Sequence, residues 1–345
     1  MGLHETHRPQ LLSRRRLLGS LGAGLLPGRV LTDAAPRELA PGVMFHQGPV
    51  NSLLVERRQR RLAVYGDARP DARTPDLVLF THHRRETASF GFRAVRSGAS
   101  AVVPSAEASR FRDAAGTWRA FRDGVWRHDY AVQSSRFPVT SVAVTRTVSE
   151  GDRIEWEGFT VKVLDTPGYT RGAVSYIIEA PRGMIACTGD LIYGDGQILD
   201  LYSLQDAVPE VRIRGYHGFA YRMADVIASL LRLRKLGPYV LVPAHGPLIE
   251  DPARAIDGLV RRLRELYANY LYTAAENHYF SADRFSYRTS RILGKGSHEA
   301  MPPAEIVAEA PPAWLRPASN SRIVLSASGG ALLIDCGLRP AGRRA

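Results

Sequence analysis

Cysteine is nearly absent: there are two, Cys187 and Cys336, in 345 residues. Neither lies in a Cys-x-x-Cys or zinc-finger spacing, which excludes a disulfide framework and a structural zinc ribbon. Both read as small apolar fillers of buried strands. Long apolar runs are missing too. The best candidate, residues 17–26, is too short to cross a bilayer as a helix, so no stable membrane span is expected. No Gly-rich phosphate loop follows a strand, which argues against a doubly wound dinucleotide-binding sheet. Acidic residues are outnumbered, 34 against 46 basic, giving a formal net charge of +12. The densest basic run, Glu56-Arg57-Arg58-Gln59-Arg60-Arg61, has no interleaved aromatics to stack on bases. It reads as a solvated hairpin, and no nucleic-acid partner is expected. The surplus of positive charge weakly favours an anionic partner.

What is present suits a globular chain. Hydrophobic residues make up 45% and charged residues 23%, enough for a sizeable core. Residues 1–36 stand apart. Ser13-Arg14-Arg15-Arg16-Leu17-Leu18-Gly19 resembles a twin-arginine export signal, with a short Gly/Leu-rich apolar stretch behind it. It implies a periplasmic or extracytoplasmic protein; the alternative is a basic tail on a cytoplasmic one.

Apolar runs place strands at 43–55, 61–65, 76–80, 101–103, 153–156, 160–164, 173–179, 184–188 and 239–242. Helical spacing covers 220–236 and 252–278. Residues 105–137, with Trp118, Phe121, Trp126 and Tyr130 among charges, read as an inserted cap: a helix, then a small hairpin. Strands followed by helices, twice over, suggest two sheets with helices outside. One domain is expected over 37–285 and a linker over 286–318. Residues 319–345 are expected to start a truncated second repeat, because Asn320-Ser321-Arg322 and Ala331-Leu332-Leu333-Ile334 echo Asn51-Ser52-Leu53 and Leu62-Ala63-Val64-Tyr65. The alternative is a chance match between two apolar hairpins.

Four polar stretches each follow an expected strand: Thr81-His82-His83-Arg84-Arg85-Glu86-Thr87, Asp165-Thr166-Pro167-Gly168-Tyr169-Thr170-Arg171-Gly172, Thr188-Gly189-Asp190, and Pro243-Ala244-His245-Gly246-Pro247. Strand ends at one sheet edge let polar groups converge. Imidazoles and carboxylates gathered there suit zinc, iron or manganese.

In order and spacing these stretches resemble the metallo-β-lactamase superfamily over about residues 43–280. The resemblance implies an α+β fold, an αββα four-layer sandwich. The family's first loop runs Thr-His-x-His-x-Asp-His and its second Thr-Pro-Gly-His-Thr-x-Gly. Its third holds Gly-Asp, and its fourth ends a strand on a histidine. Carried over position by position, His82, Asp190 and His245 match, and Glu86 keeps a carboxylate. Arg84, Thr87 and Tyr169 replace histidines.

The resemblance therefore implies metal ligands His82, Glu86, Asp190 and His245, with His83 able to stand in for His82. Otherwise His83 is a surface residue or a support behind the ligands. Zinc or another divalent transition metal is expected, at most one per chain and possibly none. Asp190 and Tyr169 are the catalytic candidates, Tyr169 as a donor to a developing oxyanion. Arg84 cannot ligate a metal. The resemblance implies two metal positions, the first held by histidines at the places of His82, Arg84 and Tyr169. Arg84 is expected to stand in for that first metal and pair with Asp190; the alternative is that it swings away.

The implied activity is hydrolysis of an ester, thioester, lactam or phosphoester in a small-molecule substrate. Two alternatives stand beside it. One is a metal-free domain that binds a ligand or partner in the old cleft. The other is a structural half of a longer enzyme.

Overall fold

A computed structural model of the chain describes residues 35–69, 71–123, 136–200, 204, 221–273, 313–318 and 321–334. The expected leader lies almost wholly outside these residues, as do Cys336, the hairpin expected at the end of the cap, and the last turns of the helix expected over 252–278.

Two sheets face each other. The first has seven strands in chain order: β1 (Arg37–Ala40), β2 (Val43–His46), β3 (Ser52–Arg57), β4 (Arg60–Val64), β5 (Leu77–Leu79), β6 (Ser100–Pro104) and β7 (Arg146–Val148). The pairs from β1 to β4 are antiparallel, and those from β4 to β7 are parallel. The second sheet runs β12-β11-β10-β9-β8, with β8 (Arg153–Trp156), β9 (Phe159–Asp165), β10 (Val174–Ala180), β11 (Gly183–Gly189) and β12 (Val240–Pro243). Only its β11–β12 pair is parallel.

Alternation along the strands builds the layers. Val43, Phe45, Leu53, Val55, Leu62 and Val64 of the first sheet meet Val161, Val163, Tyr176, Ile178, Ile185 and Val242 of the second in one buried core. Burying each such aliphatic side chain contributes about 1.5–3 kcal/mol. The outer faces are apolar as well, so each needs a helix layer. Val78, Phe80, Ala101 and Val103 lie under α1 (Arg85–Arg96) and α2 (Ala108–Arg112). Ile177, Ala186 and Leu241 lie under α4 (Tyr221–Leu236) and α5 (Pro252–Thr273). A further helix, α3 (Ala114–Asp123), follows α2. The result is the expected αββα sandwich.

Particular expectations shift. The strand expected over 43–55 is two strands, β2 and β3, joined through a bend at 48–50. Strands β1 and β7 carry no strong sequence signal and were not expected; helix α1 was not expected either, although Thr87, Ala88, Gly91, Phe92 and Ala94 are spaced to form one buried face. A separate three-stranded antiparallel sheet, β13 (Leu315–Ala318), β14 (Ser321–Leu325) and β15 (Ala331–Ile334), follows. Its first strand falls within the segment expected to be linker.

Candidate functional site

The four polar stretches leave β5, β9, β11 and β12 at one edge of the sandwich, and a few buried bonds draw them together. Backbone bonds run from Val174 N to Thr81 O at 3.0 Å and from Ala244 N to Gly189 O at 2.8 Å. The Tyr65 hydroxyl donates to Val242 O at 2.7 Å and accepts from Gly189 N at 2.9 Å, bridging β11 and β12 beneath the site. Asn51 donates its amide to Pro243 O at 2.9 Å and Gly246 O at 2.8 Å, fixing the turn that carries His245. Gly189 has φ +60° and would bring a Cβ within 2.8 Å of Thr81 Oγ1 and 3.1 Å of His82 Nδ1, so only glycine lets the strand end come this close.

Asp190 is the hub. Its Oδ1 lies 2.6 Å from His245 Nδ1, its Oδ2 accepts from the Thr87 hydroxyl at 2.7 Å, and His82 Nε2 is 3.4 Å from Oδ2. Burial would raise its pKa, but the bonds and charges of His245 and His82 outweigh burial and hold the carboxyl well below the usual range. Burial would lower the pKa of His245; the bond to Asp190, and then the carboxylate's charge, raise it instead. The His245 side chain is 17% exposed, and its Nε2 makes no hydrogen bond among the described residues.

Glu86 sits in the first turn of α1. Its Oε1 accepts from the Tyr169 hydroxyl at 3.2 Å and from Arg136 Nη1 at 3.3 Å. Arg136 also donates to the Tyr169 hydroxyl at 3.3 Å and pairs with Asp200 at 2.9 Å. The Tyr169 ring meets His82 edge-on, centroids 5.1 Å apart. Its backbone carbonyl accepts from Arg222 at 2.6 Å.

Arg84 does not pair with Asp190, whose partners are Thr87, His82 and His245. Its guanidinium lies over the Tyr169 ring, 5.6 Å from the centroid, and the residue is 2% exposed. Burial lowers its pKa; the charges of Tyr169, Glu86 and Glu107 act in the opposite direction. The physical reason is local. Arg84 caps α1 with extended backbone, and Asp190 already has donors on both oxygens.

His83 is neither on the surface nor beside the hub. It is buried, with Nδ1 2.7 Å and backbone N 2.6 Å from Glu107 Oε2. Glu107 also accepts from Thr170 Oγ1 and from Gly172 N. Four donors, from the first and second polar stretches, therefore converge on one buried carboxylate. Burial would raise the pKa of Glu107, but His83 and Thr170 hold it far below the usual range. Burial pushes His83 down, so the imidazole is neutral at pH 7 and donates from Nδ1.

The structure thus brings His82, Asp190 and His245 into direct contact and joins Glu86 to them through Tyr169. Among the described residues, no group of three or more His, Cys, Asp or Glu side chains is arranged to hold a metal ion. The donor chemistry agrees: Asp190 is engaged on both oxygens, His245 turns Nδ1 to it, and Glu86 is held by Tyr169 and Arg136. These residues do not fit a zinc ion as they stand. Sequence reasoning missed Glu107, Arg136, Thr87 as a donor, Tyr65 and Asn51. Of these, Asn51 alone left a signal, the Asn-Ser doublet that recurs at Asn320-Ser321.

Solved structures similar to this chain are metallo-β-lactamase family proteins. One from Thermus thermophilus is 18% identical, covering 68% of this chain and 84% of that one, with a TM-score of 0.46. A Cronobacter sakazakii metallo-β-lactamase with an HARLDQ motif is 17% identical over 70% and 98%, TM-score 0.47. The metallo-β-lactamase SMB-1, bound to 2-mercaptoethanesulfonate, is 16% identical over 68% and 95%, TM-score 0.49. The αββα fold of this chain rests on the four layers described above. Among curated proteins, the lactamase-like protein vrtG of Penicillium aethiopicum is 29% identical over 130 residues, 37% of this chain. That match spans 34%, about a third, of the fungal protein's length. No family profile matches the chain.

Proposed function

We propose that this chain is a metallo-β-lactamase-superfamily protein whose cleft binds a small molecule without a resident metal ion, with His245 and Asp190 as its acid–base pair. The observation that carries the reading is the engagement of Asp190. In the resembled motif this carboxylate bridges metals; here it accepts from Thr87 and lies against His82 and His245. An imidazole oriented by a buried carboxylate at Nδ1 keeps Nε2 available to take a proton from a bound water or a substrate hydroxyl. Tyr169 and Arg136, beside Glu86, supply donors at the same edge.

The test is metal content together with binding and turnover. Protein expressed in zinc-supplemented medium and dialysed is expected to hold well under one equivalent of metal. Its melting temperature should not respond to added zinc. Any hydrolysis of ester, thioester or lactam probes should persist in chelator and disappear in His245→Gln. One equivalent of tightly held zinc, with turnover lost in chelator, sinks the proposal. That outcome would favour the second reading, a single-metal hydrolase, for which the mutual contact of His82, Asp190 and His245 speaks. The export leader over residues 1–36 belongs to the same proposal; cell fractionation that finds the protein in the cytoplasm at full length would remove it.

A further inference from the structure

The two helix layers hold their arginines differently. Around the second sheet's helices, Arg232 pairs with Glu150, Arg234 with Asp257, Arg254 with Asp251 and Arg261 with Glu265. Helices α1–α3, on the first sheet's side, carry Arg85, Arg93, Arg96, Arg110, Arg112 and Arg119, exposed apart from the half-buried Arg110. None of these six pairs with a carboxylate among the described residues: Arg93 donates to the Asp67 carbonyl, Arg96 to the Thr140 hydroxyl, and Arg110 lies over the Phe137 ring. The carboxylates near them are taken. Glu86 holds Tyr169 and Arg136, Glu107 is buried among its donors, and Asp113 accepts from the Gly116 amide.

Helix ends account for part of this pattern. A cation in the last turn is favoured, which suits Arg93 and Arg96 of α1. Arg85 is the first residue of α1, where the dipole opposes a cation. The fold gains nothing from an exposed, unpaired arginine at that place. The same side of the molecule also exposes an apolar side chain. Val139 is 66% exposed. Its neighbours tie it to both helices: Trp118 of α3 donates to the Pro138 carbonyl at 2.9 Å, and Arg96 of α1 donates to Thr140 at 3.4 Å.

We infer that the α1–α3 layer is a docking surface for an anionic lipid bilayer, with the unpaired arginines on the headgroups and Val139 at the acyl boundary. Charge complementarity names the occupant, and Val139 narrows it. An interfacial surface presents apolar side chains among cations, because the first enter the acyl boundary while the second meet anionic headgroups. A nucleic acid would use the arginines but not the valine. The nearby rings do not stand ready to stack on bases: Trp118, Phe121 and Phe137 pack edge-on against one another. The contact is peripheral, since among the described residues no helix is long and apolar enough to cross a membrane. The inference does not depend on the function proposed for the cleft.

The test is sedimentation of the full chain with phosphatidylcholine vesicles, with and without phosphatidylglycerol. Binding is expected only where phosphatidylglycerol is present, and it should fall as salt shortens the screening length. Arg85→Gln/Arg112→Gln/Arg119→Gln should weaken it roughly a hundredfold, three charges at about a factor of five each. Its melting temperature should stay near the parent's, because these side chains have no partner to lose. Arg232→Gln/Arg254→Gln/Arg261→Gln, on the other helix layer, should bind like the parent. Val139→Ser should weaken vesicle binding severalfold and leave retention on heparin unchanged. No binding to the anionic vesicles overturns the inference, as do equal losses in the two triple variants. Vesicle binding that ignores Val139→Ser also overturns it, because the layer would then take any polyanion by charge alone.

Discussion

The Thr87 hydroxyl donates to Asp190 Oδ2 at 2.7 Å, from the position where the resembled motif carries a histidine. Where the resemblance implies a ligand there is a hydrogen-bond donor, and the buried carboxylate is satisfied by protein groups. Thr87→Val keeps the shape and removes the donor. Hydrogen bonds to charged groups contribute about 1.5–3 kcal/mol, and an unsatisfied buried acceptor costs a similar amount. Urea unfolding should show a loss in that range, with Thr87→Ser retaining most of the stability. A Thr87→Val protein as stable as the parent would show that Asp190 does not depend on this donor.

Glu107 accepts from His83 twice, from Thr170 and from Gly172. Glu107→Ala strands three buried donors and the part-buried Gly172 N, each buried one costing about 1–3 kcal/mol if nothing replaces the acceptor. Relaxation and water will recover part, so a loss of at least about 3 kcal/mol is expected in chemical unfolding. A loss within error of zero would mean that the two stretches are held together by other bonds.

The same residue sets a pH dependence. The Glu107 carboxyl is depressed in the folded state from the ordinary 4.5. A depressed carboxyl stabilises the fold fully above its unfolded value and loses that contribution as pH falls towards the folded value. The stability gap between parent and Glu107→Gln should therefore be flat at neutral pH and shrink as pH drops below the ordinary glutamate range. A gap that widens in acid would reverse the sign and remove Glu107 as a charged acceptor.

The layers were legible because alternation and helical spacing are local properties. Val161, Val163 and Ile178 declare a core-facing side, and Leu259 and Leu263 declare a helix face. The edge carrying His82, Asp190 and His245 was legible from residue types placed after strands. Partner choice within it was not. Arg84 lies over Tyr169 because Asp190 is already occupied by Thr87, a competition between groups about 100 residues apart. Glu107 follows β6 with no motif around it, and only the folded chain brings it to His83 and Thr170. Strand β1 is four residues long with two of them exposed, too weak a pattern to signal itself.

Asn51 and His245 are joined through backbone: the Asn51 amide bonds to carbonyls on both sides of the His245 turn, at Pro243 and Gly246. Asn51→Ala leaves two carbonyls unpaired in a largely buried place. A loss of about 2–3 kcal/mol is expected. His245 should also become more mobile, seen as broadening or shift of its imidazole NMR signals. Unchanged signals with lowered stability would make Asn51 a support for the fold alone.

The last prediction concerns Arg84 and Tyr169, the two residues that the resemblance sets at the first metal position. Arg84 is buried over the Tyr169 ring, so Arg84→Ala loses packing and a cation–π contact. Such contacts contribute about 0.5–2 kcal/mol. Because Asp190 is not its partner, this substitution should leave the Asp190 bonds to His245 and Thr87 in place. Arg84→His/Tyr169→His does something else: it removes the guanidinium and gives the edge two imidazoles beside His82. Three histidines with an open fourth position suit a catalytic zinc. A metal that binds only the folded state raises its stability by mass action. The double variant should therefore gain melting temperature with added zinc and lose the gain in chelator, while the parent shows neither. Equal zinc responses in parent and double variant would mean that Arg84 and Tyr169 do not occupy the first metal position, and the residue-by-residue match with the family motif at these two sites would fail.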